Sequence, residues 1–229
     1  MRRRTVRNAI LICGLLAVSL LTAASDDPIS VLVILPPLHA VAGEFFPLLR
    51  ELEAAGLRVD VAAWETGPYL FWEDSYAGGD DDNEPDRYVL DVATTYEAAA
   101  AGDYDALILG PGHAHGSWNI DQGRETAIAL IAEAMATDRL LGAVTFGVVF
   151  LLDSGLMDGR SVCAPPHYKG IVDLTLHIAN FLSAFDVTFA KDCVHVDETV
   201  SPVVVTGGHR CVHAFALAFA ARAAELLGD

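Results

Sequence analysis

Ala106-Leu107-Ile108-Leu109 contains no polar residue. Successive side chains of a strand point to opposite faces, so a strand that is apolar at every position is buried on both. That is the situation of a central strand in a parallel sheet covered by helices, and the rest of the chain reads accordingly. Val31–Leu35 is a second apolar run. It is followed by Gly43–Ala55, where Phe45, Leu48, Leu49 and Leu52 recur at helical spacing and Gly56 marks the end. Strands are predicted over Leu57–Ala63, Leu140–Val144, Ser161–Ala164, Val187–Ala190 and Pro202–Thr206. Helices are predicted over Asp121–Ala136, Gly170–Leu182 and His209–Leu227. Strands alternating with helices argue an α/β domain with a mainly parallel sheet and helices on both faces. Residues 64–93 show no clear period. They hold an acidic run at 78–86 whose spacing does not match an EF-hand and which reads as a solvated loop.

The chain of 229 residues is 53% hydrophobic and 20% charged, which suits one globular domain over residues 26–229. Residues 1–25 differ in kind. Arg2, Arg3, Arg4 and Arg7 precede the apolar run Ala9–Ala24, and Ala23-Ala24-Ser25 supplies small residues before Asp26. This is the pattern of a secretory signal peptide, with an uncleaved N-terminal membrane anchor as the alternative. The expected localisation is therefore secreted or extracytoplasmic, or membrane-anchored by that segment. The net charge of −17 argues against nucleic-acid and anionic-membrane partners. Three cysteines lie beyond residue 25. Cys163 and Cys193, both in the strand-rich second half, are the expected disulfide if one forms, and three buried thiols are the alternative.

The chemistry centres on Ala143-Val144-Thr145-Phe146-Gly147. A strand leads into it and the apolar run Val148–Leu152 leads out, so it reads as strand, sharp turn, helix. Small residues stand two places either side of Thr145, as a nucleophile elbow needs where strand and helix backbones nearly touch. The presented residue is a threonine, a weak nucleophile without a base, and Phe146 cannot serve as one.

The elbow and its continuation, Leu151-Leu152-Asp153-Ser154-Gly155-Leu156-Met157-Asp158-Gly159-Arg160, resemble the ThiJ/PfpI family. These are the Parkinson-disease deglycase-like proteins of the class I glutamine amidotransferase-like fold. Tyr104-Asp105-Ala106-Leu107-Ile108-Leu109-Gly110-Pro111-Gly112 resembles the family's Tyr-Asp-Ala-x-x-x-Pro-Gly-Gly. Glu44 after the first strand and Val203-Val204-Val205-Thr206-Gly207-Gly208 near the end extend the match. The resemblance implies a three-layer flavodoxin-like sandwich. It also implies site positions at Glu44, Gly112, Thr145 and Phe146, with Gly112 offering a backbone N–H to an oxyanion. At the elbow the family typically carries Ala-Ile-Cys-His-Gly, so this chain reads as a divergent member without the elbow cysteine. The histidine expected near Cys163-Ala164-Pro165-Pro166-His167 is displaced.

Ligands of such sheets bind beyond the carboxyl ends of the strands. The polar residues expected around that pocket are His113, His115, His209, Arg210 and Cys211. His113, His115, His209 and His213 are generic metal-ligand pairs, and no cofactor is predicted. Cys211, near a helix N-terminus, is a candidate relocated nucleophile. Thr145 is expected either to have a relaxed backbone with negative φ or, if strained, to hydrogen-bond Glu44. The expected function is an exported pseudoenzyme that binds a small ligand or a protein partner at the strand ends. The alternative is a hydrolase or lyase on small carbonyl compounds or peptides, using Thr145, Cys211 or a metal. A homodimer is compatible with both.

Overall fold

The computed structural model describes residues 27–38, 40–71, 88–100, 102–112, 121–163, 186–208 and 211–228. The predicted segment 1–25, the acidic run at 78–86 and the predicted helix at 170–182 lie outside them. Among the described residues no helix is long and apolar enough to cross a membrane.

Seven strands form the main sheet: β1 (Ser30–Ile34), β2 (Arg58–Ala63), β5 (Thr94–Thr95), β6 (Ala106–Leu109), β7 (Leu140–Val144), β10 (Val194–Asp197) and β11 (Val204–Gly207). Their spatial order is β10-β11-β7-β6-β1-β2-β5. Every neighbouring pair is parallel except β10 with β11. Two small ribbons lie beside it, an antiparallel hairpin of β3 (Gly67–Leu70) with β4 (Val89–Val92) and a parallel pair of β8 (Ser161–Cys163) with β9 (Thr188–Ala190).

The period of two along the central strands decides which helix covers which face. Val31, Val33, Ile108, Leu140 and Val144 pack with Phe45, Leu48 and Leu52 of α1 (Ala42–Ala54) and with Phe215 and Phe219 of α5 (Val212–Leu227). Leu32, Ile34, Leu107, Leu109 and Leu141 pack on the other side. Their partners there are α2 (Tyr96–Ala100), α3 (Arg124–Ala136) and α4 (Phe146–Asp153). Two cores separated by one sheet make the three layers. In α4 every residue from Phe146 to Leu152 is buried, so it is an interior helix rather than an amphipathic one.

The sequence reading missed β10, the β3–β4 hairpin and the short β5–α2 unit. Val194-His195-Val196-Asp197 alternates weakly and sits at an antiparallel edge, where side chains are half-buried and the apolar signal is thin.

Two expectations about cysteine are corrected. The disulfide is Cys193–Cys211, not Cys163–Cys193. Cys163 ends β8 with its side chain in the core beneath α4 and is a free, buried thiol. Cys193 instead lies beside the end of β11, where its carbonyl accepts the Gly208 N–H at 2.9 Å, three residues before Cys211. Cys211, bonded in this way, has no thiolate to offer as a relocated nucleophile.

Candidate functional site

Four chain segments meet at the carboxyl ends of the parallel strands. Residues after β1 and after β6 are joined by an isolated antiparallel bridge between Ala40 and Gly112. The turn after β7 lies against β6: a Cβ placed on Gly147 would sit 2.6 Å from the Leu109 carbonyl oxygen. Only a glycine lets helix α4 start that close to the neighbouring strand. The same turn is tied to β11, because Thr145 donates its N–H to the Gly207 carbonyl at 2.8 Å. The small residue expected at position 147 is thus needed, although the backbone it approaches belongs to β6 and not to its own strand.

Thr145 has φ 52° and ψ −121°, a conformation that L residues rarely adopt, and it is 1% exposed. Its hydroxyl has no hydrogen-bond partner among the described residues. Neither expected arrangement holds: the backbone is not relaxed, and no Glu44 hydrogen bond accompanies the strain. The sharp turn follows from its surroundings. The β11 hydrogen bond, the contact at Gly147 and the fully buried α4 fix both ends of the turn, whichever residue it presents.

Glu44 lies in the first turn of α1 and is 7% exposed. Phe146 is also buried and belongs to the core cluster on the α4 side of the sheet. Gly112 is buried at the bridge. His113, His115, His209 and Arg210 lie outside the described residues. His213 is described and points along the helix layer. Its Nδ1 is 3.4 Å from Glu51, about 10 Å further along α1 than Glu44 at 1.5 Å per residue. Among the described residues no group of three or more His, Cys, Asp or Glu side chains is placed to hold a metal.

At the opposite end of the sheet, by the amino ends of β7 and β11, the run ending in Gly159-Arg160 builds a clamp that sequence reasoning did not resolve. Gly159 turns the chain at φ 75° and delivers Arg160 into the interior. The guanidinium donates to the carbonyls of Pro202, at 2.9 Å, and Ser201, at 2.8 Å, and stands 3.9 Å from Asp197. Asp197 accepts the Ser161 N–H at 3.0 Å, the Thr199 N–H at 3.0 Å and the Thr199 hydroxyl at 2.6 Å. Burial raises its pKa, but these hydrogen bonds and the arginine outweigh burial and hold the carboxyl below its ordinary value. The adjacent Ser161 hydroxyl lies 2.7 Å from His195 Nε2 and ties β8 to β10.

A cavity of about 450 Å³ opens at the carboxyl end of the sheet, beyond β1 and β2. Trp64, Tyr69 and Gln122 are among its described lining residues, and Thr145 and Glu44 are not.

No curated protein sequence matches this chain. Solved structures with the same fold include a ThiJ/PfpI domain protein from Brachyspira murdochii. It is 14% identical, with 87% of this chain and 99% of that one covered and a TM-score of 0.63. Drosophila melanogaster DJ-1beta is 19% identical, with 89% and 92% covered and a TM-score of 0.64. Toxoplasma gondii DJ-1 is 19% identical, with 87% and 98% covered and a TM-score of 0.59. At these identities the likeness is one of fold. Membership rests on the sequence itself, which matches the DJ-1/PfpI description over residues 30–220: the chain belongs to the DJ-1/PfpI family.

Proposed function

We propose that the protein is an exported DJ-1/PfpI member that binds a small ligand or a partner at its strand ends and performs no cysteine-dependent reaction there. The observation that carries this reading is Thr145: a strained, fully buried residue at the elbow whose hydroxyl has no partner among the described residues. A nucleophilic alcohol needs a base within hydrogen-bonding reach, and among the described residues this one has none. A buried hydroxyl at the strand ends with no partner among the described residues is instead a donor and acceptor open to a bound polar group. The basic and apolar residues 1–25, together with a disulfide that suits an oxidising compartment, support export. A homodimer is compatible with this reading.

The test is methylglyoxal turnover by the purified protein and by Thr145→Ala. Neither is expected to consume methylglyoxal. Turnover that is present in the wild type and lost in Thr145→Ala would overturn the reading. Export is tested by mass spectrometry of protein from its native host, with a mature terminus near Asp26 expected and an intact Met1 in a membrane fraction counting against it.

One observation favours the second reading, a hydrolase or lyase on small carbonyl compounds or peptides. The strained elbow persists, and such strain clusters at working sites. With Cys211 in a disulfide, that reading rests on Thr145 or on a metal.

A further inference from the structure

We propose that the cavity beyond β1 and β2 is a second binding site, separate from the elbow, for a small organic cation with an apolar or aromatic body. Its volume of about 450 Å³ falls within the range of ligand sites, roughly 300–1,000 Å³. Its wall is built from fixed parts. The Tyr69 hydroxyl is held by donating to the Pro36 carbonyl at 2.7 Å and accepting the Ala40 N–H at 3.2 Å. The Tyr69 ring packs edge-on against Phe71, 4.9 Å between centroids. Trp64 is partly buried against the core cluster on the other side of the sheet. Two aromatic residues are therefore held in place at the opening without a ligand.

Two features give the chemistry. Leu38 and Leu70 both line the cavity and are 48% and 65% exposed, so large apolar side chains that would otherwise be buried stand at its mouth. Glu65 is the one charged side chain among the described lining residues, and among the described residues no cation pairs with it. A carboxylate that shares a cavity lining with two aromatic residues attracts a cation through its charge, and the ring quadrupoles add to it. The chain's net charge of −17 draws the same ligands in from solution and repels anions. An apolar body fits against Leu38 and Leu70, and an ammonium head fits against Glu65 and the rings. The inference is independent of the elbow, because neither Thr145 nor Glu44 lines this cavity.

Phenethylamine, the neutral 2-phenylethanol and the anionic 3-phenylpropionate share one apolar body and differ in charge. Titrating each into the purified protein by calorimetry reads the site directly. Phenethylamine is expected to bind saturably and 3-phenylpropionate not at all, with 2-phenylethanol roughly tenfold weaker than the amine, as expected for loss of one partly solvated charge contact. Glu65→Gln should bring the amine down to the affinity of the alcohol. Leu70→Ser, an exposed position, should weaken both. Absence of saturable amine binding, equal affinity for all three probes, or an affinity unchanged in both variants would each overturn the proposal. Thr145→Ala should leave amine binding unaltered, which separates this site from the elbow.

Discussion

Thr145 combines two unfavourable features in one residue. A positive φ on a β-branched residue costs on the order of 1–3 kcal/mol, and a buried hydroxyl without a partner costs a similar amount. The two can be separated. Thr145→Val keeps the branched shape and the strain but removes the unpaired oxygen. It is expected to stabilise the free protein by about 1 kcal/mol, read as a higher urea midpoint at unchanged slope. An unchanged or lower midpoint would mean that the hydroxyl is satisfied in solution. Cys163 illustrates a different kind of silence. Burial pushes its thiol up to about 11, against a smaller opposing effect of the hydrogen bond to Thr206. Iodoacetamide at pH 8 is expected to leave the Cys163 peptide unmodified in the native protein and to alkylate it fully in guanidinium. Rapid native labelling would contradict the burial seen here.

At the scale of elements, the approach of α4 to β6 and the Arg160–Asp197 clamp carry the sharpest consequences. A methyl group on residue 147 would meet the backbone oxygens of Leu109 and Gly110, at 2.6 and 3.0 Å, and neither can move without shifting a central strand. Gly147→Ala is expected to destabilise by about 1–3 kcal/mol or to prevent folding, measured by thermal unfolding and soluble yield. Asp197→Asn leaves a buried guanidinium without its carboxylate and should destabilise by about 3 kcal/mol. The pH dependence carries the sign. The folded-state pKa of Asp197 is depressed, so its contribution is fully present above the ordinary carboxylate value of about 4 and is lost as pH falls through the lower folded value. The stability gap between wild type and Asp197→Asn should therefore be constant from neutral pH to about 5 and shrink below about 4. A gap that is flat into strong acid would show that the carboxylate charge is not what the clamp uses.

For the molecule as a whole, the Cys193–Cys211 bond joins the antiparallel edge of the sheet to the start of the last helix. It closes a loop across 18 residues of sequence. A loop of that length is worth roughly 3 kcal/mol through restriction of the unfolded chain. Cys193→Ser and Cys211→Ser are each expected to lower stability by about that amount, as reduction of the wild type should. Cys163→Ser should not mimic them in its response to reductant. The acidic surface adds a second global property. With a net charge of −17, self-repulsion opposes compaction, so moderate salt is expected to raise the melting temperature.

The central strands and the covering of both sheet faces were legible in the sequence. Ala106–Leu109 and Leu140–Val144 can be buried on both faces only in a covered parallel sheet. Phe45, Leu48 and Leu52 mark the inward face of α1 by spacing alone. The elbow was legible for the same reason: strand, small residues and an all-apolar helix leave few ways to turn. What required the tertiary structure is everything that depends on which distant segments touch. Cys193 pairs with Cys211 because the end of β11 brings them together, a proximity that cysteine counting does not contain. Arg160 reads in the sequence as part of a family run, and only packing shows that it holds the Ser201–Pro202 carbonyls and Asp197. Thr145 was expected to relax or to find Glu44. It does neither, because turn geometry is dictated by neighbouring strands while hydrogen bonding is dictated by where side chains arrive. Local patterns determined the central elements of this protein, and long-range contacts decided the edge strands and which residues share a site.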